Sequence, residues 1–223
     1  MINVTIVTLC ATGYGKFLEE CLESVQCQTY RDFEHIVVLA GCRDDTSDIL
    51  RGYPDCKVLE IQDLGLCTSR NRGVEIGTGT YVVNLDSDDK MAPTFLEKVV
   101  AQAEPRAIVC PGMYHGFNAE HGLLWPHRDF TLAQLTEANR LFCCSLFPRA
   151  DFLAVGGYDP RLDWIGGEDW NLWVRLMRHG CQVKIVPECL FYYRVWQGSL
   201  TRRLAHTDQE RYAFVRQLNT ECH

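Results

Sequence analysis

Apolar residues in the first half of the chain arrive in two alternating rhythms. Residues 4–9 are apolar nearly throughout, as in a strand buried on both faces, and Gly13 and Gly15 break the run. From 16 to 27, Phe17, Leu18, Cys21, Leu22 and Val25 recur at helical spacing, with Glu19, Glu20 and Glu23 outside. A second strand over 32–40 centres on Ile36-Val37-Val38-Leu39. A loop with Gly41, Arg43, Asp44 and Asp45 then leads to a short helix through Ile49 and Leu50. A third strand is predicted at 57–61, followed by a helix over 68–76 that Gly77 and Gly79 stop. Next, Tyr81, Val82, Val83 and Leu85 give a short buried strand that ends in Asp86-Ser87-Asp88-Asp89. Strands alternating with helices in this way predict right-handed βαβ units and a parallel sheet.

The second half is less regular. Pro93 opens a helix carrying Phe95, Leu96, Val99 and Val100, and residues 107–110 read as a short strand. Over 111–128 the periodicity dissolves among Gly, His, Asn, Tyr114, Phe117 and Trp125. The stretch reads as a long irregular loop or a hairpin, and loops of that length in compact domains often serve function. A strand at 142–147 and a short helix at 149–155, closed by Gly156-Gly157, come next. Residues 168–179 form an amphipathic helix with Leu172, Trp173, Leu176 and Met177 on one face and Gly180 as its stop. Two strands, 182–186 and 190–195, and a last helix near 208–218 complete the pattern. No repeat, low-complexity tract or linker divides it, so one compact domain over 1–223 is expected.

Composition narrows the class. With 223 residues, 47% of them hydrophobic and 23% charged, the chain is an ordinary soluble globular protein with ample core. A net charge of −7 argues against nucleic acid as partner and against a purely electrostatic hold on anionic lipid. No apolar run approaches the roughly 20 residues of a membrane span, and no secretory signal opens the chain. A cytoplasmic location is expected, with peripheral membrane association still open. The 12 cysteines include no Cys-x-x-Cys pair, and Cys10, Cys110, Cys143, Cys181 and Cys189 lie in or beside apolar stretches. Free thiols are expected rather than disulfides or zinc.

Three segments carry candidate chemistry. Asp86, Asp88 and Asp89 stand at the end of a strand, at the sheet edge where open α/β folds bind ligands. Three packed anions repel, and Mg²⁺ or Mn²⁺ would relieve them; a solvated acidic turn before the next helix is the alternative. Glu168 and Asp169 start a helix after Gly166-Gly167, where they can cap free N–H groups or supply a general base to a sugar hydroxyl. Between Gly65 and Gly73 lie Arg70 and Arg72, of which at most one can face a pocket and pair with a diphosphate. The flat rings of Trp125, Trp164, Trp170 and Trp196 suit sugars, whereas Trp173 reads as core. His115, His121 and His127 are too scattered to suggest a metal site.

Order and spacing tie these segments together. The helix Phe17-Leu18-Glu19-Glu20-Cys21-Leu22-Glu23-Ser24-Val25 is followed by Gln28-Thr29-Tyr30-Arg31-Asp32-Phe33-Glu34. Then come Gly65 through Asn71 with Gly73, and Gly79-Thr80-Tyr81 running into Leu85-Asp86-Ser87-Asp88-Asp89. Gly156-Gly157-Tyr158-Asp159 and Gly167-Glu168-Asp169 complete the series. Over nearly its whole length the chain thus resembles the family 2 inverting glycosyltransferases of the GT-A fold. The resemblance implies an α/β fold: a single GT-A, Rossmann-like domain whose mostly parallel central sheet is flanked by helices, with a small antiparallel C-terminal part. Residues 1–110 would form the nucleotide-sugar-binding half and 111–223 the acceptor-binding half.

It also implies transfer of a sugar from a nucleotide diphosphosugar, here a UDP-sugar, to a glycan, lipid-linked or other hydroxyl acceptor, with inversion. Asp86 and Asp88 match an Asp-x-Asp motif holding Mn²⁺ or Mg²⁺. Asp169 matches the base, with Glu168 in support. Cys10, Ala40, Asp63, Arg70, Asn71 and Asp86 stand at donor-binding positions, and Trp164, Trp170 and Trp196 are expected at the acceptor. Three segments depart from the family pattern. Leu9-Cys10-Ala11-Thr12 replaces a Pro-Thr-Tyr-Asn-like run, and Leu39-Ala40 stands where paired aspartates often read uracil, leaving Asp44, Asp45 or Asp63 as substitutes. Trp196 occupies a loop that often carries a histidine, for which His206 is the other candidate. The alternatives are a silent nucleotide-sugar-binding protein of the same fold, or a sugar nucleotidyltransferase using Gly13-Tyr14-Gly15-Lys16.

Overall fold

The computed structural model describes residues 3–42, 46–118, 123–125, 129–204 and 208–221. Arg43, Asp44, Asp45, His121, His127 and His206 lie outside them, as does the side chain of Trp125. The described chain is a single α/β domain around one nine-stranded sheet. Strands β1 (Val4–Ala11), β2 (Phe33–Ala40), β3 (Cys56–Ile61) and β4 (Tyr81–Asp86) form a parallel block in the spatial order β3-β2-β1-β4. Beyond β4 the sheet continues through β8 (Leu146–Pro148), β6 (Ala107–His115), β9 (Gln182–Tyr193) and the two-residue β5 (Lys90–Met91). β8 runs antiparallel to both β4 and β6, β6 and β9 pair in parallel, and β7 (Leu123–Trp125) folds back antiparallel on β6. The long ladders are the parallel ones, and the short ones are antiparallel.

Alternation along the strands buries both faces. Val82 points into one core layer while its neighbours Tyr81, Val83 and Leu85 point into the other. The second of these layers is closed by α1 (Gly15–Gln26) and α4 (Phe95–Val100), which Gln28 joins by donating its amide to the carbonyl of Ala92 at 2.7 Å. The first is closed by α3 (Leu66–Ile76), α5 (Leu132–Glu137), α6 (Arg149–Ala154), α7 (Glu168–Arg178) and α9 (Asp208–Glu221). α2 (Thr46–Leu50) packs beside α1, and α8 (Leu200–Leu204) follows β9.

Four stretches differ in whole or in part from the sequence expectation. Of the irregular loop or hairpin read over 111–128, the hairpin is present: β6 runs on to His115 and β7 pairs back onto it. Pro111 and Gly112 hid this, because they sit at a bulge where β6 shifts register against β9. The two strands expected at 182–186 and 190–195 are one bulged strand; a side chain at Gly112 would come within 2.9 Å of the Glu188 carbonyl. The strand expected at 142–147 starts only at Leu146, the residues before it forming bends that reach the cleft. Helix α5 was not anticipated, although Thr131 and Gln134 form a reciprocal capping box at its start.

Candidate active site

β4 delivers its acids to the carboxyl edge of the parallel block, where Asp86 pairs in register with Leu9 of β1. The turn after it is held from behind. Arg194, nearly buried, donates its backbone N–H to Asp89 Oδ1 at 2.7 Å and its Nε–H to the Asp88 carbonyl at 2.6 Å. Its guanidinium also pairs with Glu20 and lies over the rings of Phe17 and Phe117. Burial, and then the charges of Asp88 and Asp86, push the Asp89 carboxyl well above the usual carboxylate range. Asp89 is thus a brace inside the turn. Asp88 opens toward the cleft, with its Oδ2 accepting the Trp196 indole N–H at 2.7 Å. Burial and neighbouring Asp86 raise its pKa to about 6.

Gly167, in the left-handed region (φ +82°), turns the chain into α7. Asp169 Oδ1 accepts the Trp170 backbone N–H at 2.7 Å and Oδ2 accepts from Asn139 Nδ2 at 3.1 Å. Burial first, and then the charge of Glu168, raise Asp169 to about 7. Arg70, from α3, lies between the two acidic groups, only 2% exposed. It donates Nη1–H to Glu168 Oε1 at 2.6 Å and pairs through Nη2 with Asp86. Its guanidinium carbon sits 5.6 Å from the Tyr158 ring centre.

Asp86, Asp88, Glu168 and Asp169 line a cleft of about 400 Å³. Its apolar end is Leu9, Ala11, Ala40 and Leu66, with Asp63 as the carboxylate there; Arg203 and Arg211 line it from the C-terminal segment. A second cavity of about 800 Å³ shares Asn139, Cys143, Asp169 and Tyr193 with the first. Asp169 therefore stands where the two meet. The second cavity has a largely apolar lining of Met113, Leu141, Phe142 and Phe191, edged by Gln134, Arg140 and His115.

Of the acids singled out in the sequence, Asp86, Asp88, Glu168 and Asp169 meet in one cleft with Asp63 at its far end, while Asp89 is buried behind the turn. Several other expected ligands are engaged within the protein. Cys10 is fully buried in the core beneath α1. Asn71 is engaged at both ends of its amide by the backbone of Tyr158, each at 2.8 Å, and acts as a clamp rather than a donor ligand. Trp170 is only 1% exposed, with its indole N–H held by the Leu135 carbonyl, so it is core and not an acceptor platform. Trp196 packs edge-on against Tyr14 and Phe17 and braces Asp88. Trp164 alone of the three stands at the rim, 61% exposed and with φ +68°. Arg72 is exposed and pairs with Glu75 at 3.0 Å. Lys16, of the faint phosphate-loop pattern, lies over Trp196, 4.2 Å from its ring centre. Sequence reading missed Arg203, Arg211 and Asn139. The basic cluster at 202–203 was the one signal for the first.

The acid pair suits a hard divalent ion. The charge of Asp86 raises the proton affinity of its buried neighbour Asp88, a repulsion that a cation relieves, and oxygen donors match Mg²⁺ or Mn²⁺. Among the described residues no three His, Cys, Asp or Glu side chains group to hold a metal unaided, which fits an ion whose remaining ligands are substrate phosphate and water. The described cysteines are all free thiols.

Residues 5–153 match the model of glycosyl transferase family 2, and residues 135–197 match the N-terminal domain of galactosyltransferase. The uncharacterized glycosyltransferase EpsJ of Bacillus subtilis is 28% identical over 83% of this chain and 59% of its own. The amylovoran biosynthesis glycosyltransferase AmsE of Erwinia amylovora is 27% identical over 83% of this chain and 73% of its own. Glycosyltransferase GlyA of Streptococcus pneumoniae serotype 4 is 32% identical over 50% of this chain, which spans only 17% of that protein. Among solved structures, residues 1–349 of S. aureus TarS in complex with UDP superpose with a TM-score of 0.75 at 18% identity, over 98% of this chain and 64% of that one. The same protein has been solved with UDP-GlcNAc. At that identity the likeness is one of fold.

Proposed function

The chain belongs to glycosyl transferase family 2, and on that footing we propose that it is a metal-dependent, inverting transferase moving a sugar from UDP-sugar to a carbohydrate or lipid-linked hydroxyl. The observation that carries this reading is that Asp86, Asp88 and Asp169 line one 400 Å³ cleft, with Arg70 paired to both Asp86 and Glu168. Asp86 and Asp88 would hold Mn²⁺ or Mg²⁺, which when bound neutralises the charge of the departing diphosphate. Arg203 and Arg211 bring further positive charge to the same cleft. The apolar end at Ala40 and Leu66 suits the base, with Asp63 as its polar contact.

The acceptor enters through the second cavity. Asp169, at the junction, takes the proton of the attacking hydroxyl on a carboxylate oxygen. Each of those oxygens has a second lone pair beyond the bond it accepts from Trp170 or Asn139. The new C–O bond forms as the anomeric C–O bond to the diphosphate breaks, and UDP leaves with the electron pair. Asn139 and the Trp170 N–H hold the base in place throughout. Trp164 offers a ring face at the rim of the first cleft.

With Mn²⁺ and a UDP-sugar alone, slow donor hydrolysis is expected. Asp169→Asn should retain that hydrolysis and lose transfer to acceptor by roughly 10²-fold or more. Full transfer by Asp169→Asn would overturn the assigned base. A silent binding protein of the same fold would bind UDP but release none from UDP-sugar.

A further inference from the structure

Arg70 has two carboxylate partners that belong to different parts of the machinery. Asp86 ends β4 and belongs to the cation wall; Glu168 opens α7 beside the base. A guanidinium is a rigid fork whose two arms cannot turn independently. The fork is also fixed from behind. Tyr158, under the guanidinium, receives the Asn84 amide on its hydroxyl at 2.6 Å, and Asn71 clamps its backbone. Arg70 is 2% exposed and the Glu168 side chain 8%, so solvent screens their pairing little, while Asp86 is 28% exposed. Glu168 has no polar partner other than Arg70 among the described hydrogen bonds and ion pairs.

We propose that Arg70 is a positioning residue that couples the cation-binding carboxylate Asp86 to the base-bearing helix through Glu168. The coupling rests on the metal-dependent reading above. Glu168 shares the positive charge of Arg70, and this leaves Asp86 negative enough to attract a second cation. Without Glu168, the guanidinium faces Asp86 uncompensated and opposes a divalent ion there. Glu168 therefore tunes cation affinity although it stands on α7 and not in the acidic turn.

The test is Mn²⁺ binding to the protein with UDP, read by electron paramagnetic resonance of free Mn²⁺, with no sugar donor and no turnover. Glu168→Gln should weaken Mn²⁺ about fivefold or more. Arg70→Met combined with Glu168→Gln should bring affinity back to the wild-type value or above, because the uncompensated charge has gone. A purely structural role predicts the opposite, a double variant worse than the single one. Arg72→Ala, on the same helix but exposed, should bind as wild type. Melting temperatures of all variants establish that they fold. Wild-type affinity in Glu168→Gln, or no recovery in the double variant, overturns the coupling alone. Absence of Mn²⁺ binding by the wild-type protein overturns the metal-dependent reading and the coupling with it.

Discussion

Asp169 keeps its proton to a higher pH than an ordinary carboxylate because burial and Glu168 both disfavour its charge, placing it near 7 instead of 3.8. Two consequences follow from that one number. As pH rises through about 7 the base form grows, so transfer should rise along an acid limb centred there, measured as kcat/KM against pH. Stability moves the other way. Between about 4 and 7 the unfolded chain has lost this proton while the folded one retains it, so folding loses stability as pH rises across that window. Asp169→Asn removes the penalty, and the Asn139 amide can turn to present its oxygen. The variant should melt above the wild type at pH 8 and equal to it near pH 4; a lower melting point at pH 8 would contradict the assignment. The acids were legible in the sequence because carboxylates crowded at a strand end or helix start have few other reasons to be there. Arg70 was legible only as one of two arginines, since choosing between it and Arg72 takes the rotation of the helix. Trp170 and Trp196 were misread because an indole N–H needs a partner, and Leu135 and Asp88 supplied one inside the protein.

At the scale of elements, α3 owes its start to a contact made from far along the chain. Gly65 has φ +92°, and Asp163 accepts from the N–H groups of Cys67 at 2.6 Å and Thr68 at 3.3 Å. A Cβ at position 65 would meet the Asp163 carboxyl at 2.4 Å. Gly65→Ala should therefore cost about 1–3 kcal/mol in urea unfolding, through backbone strain and loss of this cap. An unchanged midpoint would show that Asp163 moves aside freely. Because α3 carries Arg70, the same variant should weaken Mn²⁺ binding. The helices of the first half were readable from their 3.6-residue pattern. Strand β9 was not, because Pro187 suggested an end where the sheet makes a bulge. α5 was missed because it exposes most of its surface and buries only Leu135, too little apolar signal for a periodicity.

In the whole molecule the two cavities adjoin at Asn139, Cys143, Asp169 and Tyr193. The parallel block β3-β2-β1-β4 carries the apolar end of the first cleft, and the antiparallel β8 joins it to the β6–β9 pair, whose residues line the second cavity. That parallel block follows from alternating patterns in the sequence, whereas the strand order beyond β4 depends on pairings between distant segments that no local pattern encodes. α9 reaches back to the cleft through Arg211 and Tyr212, and is tied to α7 by the amide pair Asn171–Asn219 at 3.0 Å. Ligand at the cleft should consequently stabilise the entire fold. UDP with Mn²⁺ at about a hundredfold over its Kd should add about 2.7 kcal/mol, visible as a rise in Tm that UDP with EDTA does not give. The most direct measurement is UDP released from UDP-GlcNAc, without acceptor, by the wild-type protein and by Asp88→Asn. The account predicts slow release that requires Mn²⁺ and vanishes in Asp88→Asn; equal release with EDTA, or by the variant, would contradict it.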